Sequence, residues 1–103
     1  MTDGELLDGY AARGSAQALG ALVERHAPMV YSACLRMTGD RRLAETATRA
    51  VFLMLARGAR GLAGRRTICG WLHGAACRAS RRALEMAEAE ESAVETRALA
   101  AVD

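Results

Sequence analysis

A chain of 103 residues, half apolar and a quarter charged, has room for one folded domain around one core and little more. Only four aromatic residues are present (Tyr10, Tyr31, Phe52 and Trp71), so the core must be aliphatic; Ala-rich stretches, a single proline and no alternating apolar run argue against strands. The net charge of +2 hides a division, because residues 1–84 carry thirteen arginines against six acids while 85–103 carry six acids and Arg97 alone.

Helical spacing of Leu6, Leu7 and Tyr10 predicts a first helix over 3–13, stopped by Gly14, with Ser15 placed to cap the next. A second stretch over 15–38 keeps Leu19, Leu22, Val23, Met29, Val30, Ala33, Cys34 and Met37 near a 3.6-residue period. Pro28 has no amide to reach back to Glu24, which predicts a kink or a restart there. Thr38-Gly39-Asp40 reads as a stop followed by a new cap. The third helix is expected over 41–58, with Leu43, Ala47, Ala50, Val51, Met54 and Leu55 inward and Phe52 at the edge of that stripe. Gly58 to Gly64 reads as a loop or broken helix, since three glycines fall in seven residues. The fourth helix starts near Thr67 and turns Leu72, Ala75, Ala76, Ala79 and Ala83 to one face, with Trp71, Gly74, Arg78 and Arg82 on a second. Its good helix formers allow the acidic segment 85–103 to prolong it. The expected fold is therefore all-α, a compact bundle of three to four helices occupying 1–84, with 85–103 as an acidic helical tail or the start of a linker.

Residues 57–84 hold seven arginines and no acid, with Trp71 among them. Such a block is an electrostatic footprint for nucleic acid. An indole stacks on an unpaired base for about 1–3 kcal/mol, and guanidinium forks grip phosphates. Five phosphate contacts on a single strand would give a salt slope of about −3.5. The same residues also fit a solvated cationic surface over a core tryptophan.

Three blocks in register resemble extracytoplasmic-function sigma factors: LVERHAPMVYSACLRMTGD (22–40), LAETATRAVFLMLARGA (43–59) and GWLHGAACRASRRAL (70–84). The resemblance runs from residue 3 to about 84 and implies the region 2 domain of a bacterial RNA polymerase sigma factor. It implies a helix over 43–55 that docks on the clamp helices of the polymerase β′ subunit, with Glu45, Thr46, Arg49 and Leu53 at or near the contact. It also implies capture of the unpaired −10 promoter strand by the loop 58–68 and the helix after it. The residues carried over are Arg60, Arg65, Arg66, Thr67, Trp71, His73, Arg78, Arg81 and Arg82. An anti-sigma factor is a further implied partner. Two positions depart from the family: Thr46 stands where Asp is usual and Arg49 where Gln is usual, which reverses local polarity on the docking face. The helix-turn-helix domain that reads the −35 element is not among these residues. The chain is thus expected to be part of a longer protein, with 85–103 beginning an interdomain linker, or else a single-domain relative.

Other features point to bland roles. Cys34, Cys69 and Cys77 lack the paired spacing of a secreted disulfide framework; with no leader-like or membrane-length apolar run, the expected compartment is the reduced cytosol. Cys69, His73 and Cys77 share a helical face, yet three ligands at that spacing span about 12 Å, too long for one tetrahedral ion. His26 is expected to be packed or solvent-facing rather than catalytic. No nucleophile–base set, phosphate loop or convergent carboxylate pair appears, so neither an enzyme nor a cofactor or metal is expected. The acidic tail is expected either to be solvated or to fold over the arginine face. A sigma-like module that binds other proteins, and a purely structural bundle, are the competing readings.

Overall fold

The computed structural model describes residues 1–62, 65 and 67–102. Among them the chain is all-α with no strand, in four helices: α1 (Asp3–Arg13), α2 (Ala16–Thr38), α3 (Arg41–Leu62) and α4 (Cys69–Ala100).

The ends are set by local chemistry. Thr2 accepts a hydrogen bond from the Glu5 amide at 3.1 Å and Ser15 accepts one from Ala18 at 3.2 Å, so α1 and α2 each start on a hydroxyl cap. Gly14 (φ 63°) and Gly39 (φ 68°) close α1 and α2 in the left-handed region, where a side chain would be strained. Asp40 Oδ1 then accepts from the amides of Arg42 (2.8 Å) and Leu43 (3.1 Å) and opens α3.

Two helix bounds differ from those the sequence suggests, for the same reason. α2 does not restart at Pro28 but runs unbroken from Ala16 to Thr38. A proline inside a helix costs about 3 kcal/mol, and the burial of Leu22, His26, Val30, Ala33 and Cys34 on both sides of it outweighs that. α3 likewise does not end at Gly58; it continues through Gly61 and closes at Leu62. Leu55, Ala59 and Leu62 continue the inward stripe, so burial offsets about 1 kcal/mol per glycine. Residues 58–62 of the expected loop thereby belong to α3, and Ala63, Gly64 and Arg66 lie outside the described residues.

The core is aliphatic, as expected. Leu7, Leu22, Val30, Val51, Leu55, Ile68 and Leu72 are fully buried, and α2 packs against each of the other three helices. Leu72, Ala75, Ala76, Ala79 and Ala83 form the inward face of α4. Met29, expected inside, is exposed at 36%. α4 has 32 residues, about 48 Å of helix, and beyond Ala87 every residue through Val102 is exposed, so the molecule is 62 Å long.

The junction before α4 is clamped by α1. A Cβ at Gly4 would collide with the carbonyl oxygen of Arg65, so only glycine lets the helix lie against that backbone. One residue earlier, Asp3 Oδ2 accepts from the Ile68 amide at 3.4 Å. Its Oδ1 accepts from Arg25 Nη1 and from His26 Nε2, each at 2.9 Å. Burial alone would push the Asp3 carboxyl up; the bonds from His26, Arg25 and Ile68, with the attraction of His26, more than offset this and hold it low. A carboxylate only accepts, so the facing Nε2 of His26 carries a proton.

Candidate nucleic-acid and docking interface

α3 separates two surfaces. On its flank toward α2, Glu45, Arg49 and Leu53 join Phe52, Leu19, Val23 and Tyr31 around a mainly apolar groove of about 520 Å³. Leu53 is 56% exposed there, a large apolar side chain presented to solvent beside one acid and one arginine. Three of the four expected docking residues are thus brought together. Thr46 is not. It lies about 100° around α3 from Glu45, lines the space between α3 and α4, and donates its hydroxyl to the Arg42 carbonyl at 3.0 Å.

On the other flank, Arg78 and Arg82 border a groove of about 290 Å³ with Ala50, Met54 and Met86. Trp71, Gly74, Arg78 and Arg82 fall on one stripe of α4, about 16 Å from first to last. Trp71 is half-buried against the core, which fixes the indole while leaving part of it at the surface. Arg78 Nη1 lies 3.4 Å from where a Cβ of Gly74 would stand, so the guanidinium packs back over the preceding turn. Arg81 is exposed on the outward side of the helix, next to this stripe. Among the described residues only Arg25 pairs with a carboxylate, so these arginines keep their charge available.

The remaining expected strand-binding residues are scattered. His73 is exposed but sits about 160° around α4 from the Trp71 stripe, because two residues of helix turn it to the opposite flank. Arg60 is exposed near the C-terminal end of α1, with Tyr10 and Gly14. Arg65 and Thr67 are exposed just before α4, where Thr67 Oγ1 accepts from the Cys69 amide at 3.3 Å. Arg66 lies outside the described residues.

The acidic segment does not turn back over the arginines. It continues α4 to Ala100, and Glu90 and Glu91 pass beside Asp40, Arg42 and Leu43 at the α2–α3 corner. Met54, which the sequence places inward, is a site residue not singled out as such; the pairing of α3 with α4 sets it beside Arg78 and Arg82.

No family model, curated protein or solved structure matches this chain.

Proposed function

We propose that this chain is a promoter-recognition domain of the extracytoplasmic-function sigma type, working in the cytoplasm on core RNA polymerase and promoter DNA. The α2–α3 groove docks on the β′ clamp helices, and the Trp71–Arg78–Arg82 stripe, with Arg65, Thr67 and Arg81, holds the unpaired −10 strand. The observation that carries this reading is the division of labour across α3: an apolar groove with exposed Leu53 on one side, and an indole with two unpaired guanidiniums on the other. Apolar anchors in a groove suit protein docking, whereas an aromatic platform among arginines suits a single strand. His73 and Arg60 have no part in the strand contact.

The test separates the two surfaces. Trp71→Ala and Arg78→Glu are expected to weaken binding of a −10 single strand tenfold or more and leave capture of core polymerase unchanged. Leu53→Asp is expected to do the reverse. If Trp71→Ala and Arg78→Glu leave strand binding intact, the assignment of α4 fails.

Arg49 in the apolar groove favours a second reading, a sigma-like module whose docking face has shifted toward another protein, such as an anti-sigma partner. Arg49→Gln discriminates: a gain in polymerase affinity supports the shifted face, and no change supports docking by the residues already present.

A further inference from the structure

At the start of α4, three ligand-bearing side chains from three helices meet. One carboxylate oxygen of Asp3 (α1), one imidazole nitrogen of His26 (α2) and the thiol sulfur of Cys69 (α4) lie within 4.8 Å of one another. Asp3 and His26 are buried, and Cys69 is exposed, so the cluster opens to solvent on its sulfur side. We propose that Asp3, His26 and Cys69 form a binding site for a thiophilic divalent cation of the zinc class.

The donor set carries this choice. Oxygen, nitrogen and sulfur together suit a borderline-soft ion, whereas calcium and magnesium seek oxygen alone. Asp3 offers a second oxygen as well: among the described residues its Oδ2 has one long hydrogen bond, to Ile68 at 3.4 Å. The Arg25 side chain is 41% exposed, so its guanidinium can swing into water as a cation enters. Binding releases the Cys69 thiol proton to solvent and shifts the imidazole proton from Nε2 to Nδ1; the released thiol proton makes affinity rise with pH. Solvent completes the coordination on the open side. An ion there ties the first residue of α4 to α1 and α2, fixing the helix that carries Trp71. This site stands whether or not the chain binds polymerase.

The test is titration of the chelator-treated full chain with Co²⁺, read by thiolate-to-cobalt charge-transfer absorption, followed by displacement with Zn²⁺. One ion per chain is expected. The band should vanish in Cys69→Ser and in His26→Gln, each shown to be folded by circular dichroism, and persist in Cys77→Ser and His73→Ala. Zn²⁺ at a hundredfold excess over its dissociation constant should raise Tm by roughly 10 °C in the parent chain and not in Cys69→Ser. Absence of the band, its survival in Cys69→Ser, or its loss in Cys77→Ser or His73→Ala would overturn the site.

Discussion

Removing the Asp3 carboxylate should unfasten three helices at once. Asp3 and His26 are 6% and 7% exposed, and the carboxylate also receives Arg25 and the Ile68 amide. Deleting the carboxylate leaves two buried donors, His26 Nε2–H and the Ile68 amide, without an acceptor, at about 1–3 kcal/mol each. The Arg25 arm adds little, because that side chain is 41% exposed and such pairs contribute roughly 0–1 kcal/mol. Asp3→Ala should therefore lose about 4 kcal/mol, or roughly 20 °C in Tm at about 5 °C per kcal/mol for a domain of this size. Asp3→Asn keeps an oxygen for His26 but turns an amino group toward the Ile68 amide, and should lose about 1–3 kcal/mol. Both are read by thermal and urea melts in EDTA, followed by far-ultraviolet circular dichroism. The fold holds the Asp3 carboxyl below its ordinary value of 3.8, so its stabilisation is complete above that value and is lost as pH falls through the lower folded one. Acidification below about pH 4 should thus lower Tm more in the parent chain than in Asp3→Asn. A loss under about 1 kcal/mol in Asp3→Ala would refute the clamp.

Gly4→Ala should destabilise by about 1–3 kcal/mol, seen in the same melts, because its methyl would strike the Arg65 carbonyl. Pro28→Ala should stabilise by about 1–3 kcal/mol, since α2 is already helical on both sides and regains a donor toward Glu24. Among the described residues the buried Ser80 hydroxyl finds no hydrogen-bond partner, so Ser80→Ala should raise stability by about 1 kcal/mol in urea melts.

Much of the fold was legible because its punctuation is local. Gly14, Ser15, Gly39 and Asp40 each act within a few residues of themselves, and α1 and α2 end where those residues say. The end of α3 was not legible, because Gly58 and Gly61 signal a break while Ala59 and Leu62 answer to a core made by other helices. The Trp71 stripe could be read from spacing on one helix, and the core-facing residues of α4 confirm its period. Which flank a docking residue faces needs the neighbours: Glu45 and Thr46 are adjacent in sequence yet look into different grooves. The Asp3–His26–Cys69 cluster was beyond any local pattern, since its members are 23 and 43 residues apart. Spacing on α4 instead offered Cys69 with His73 and Cys77, which the fold does not unite with it.

Trp71 is the sole tryptophan, so fluorescence excited at wavelengths where Tyr10 and Tyr31 do not absorb reports on the proposed strand platform alone. Titration with a −10 single-stranded oligonucleotide should quench that emission, with affinity falling against salt at a slope of about −2.8 for contacts by Arg65, Arg78, Arg81 and Arg82. Emission that stays unchanged while the oligonucleotide binds, or no binding at low salt, would contradict promoter-strand capture by α4.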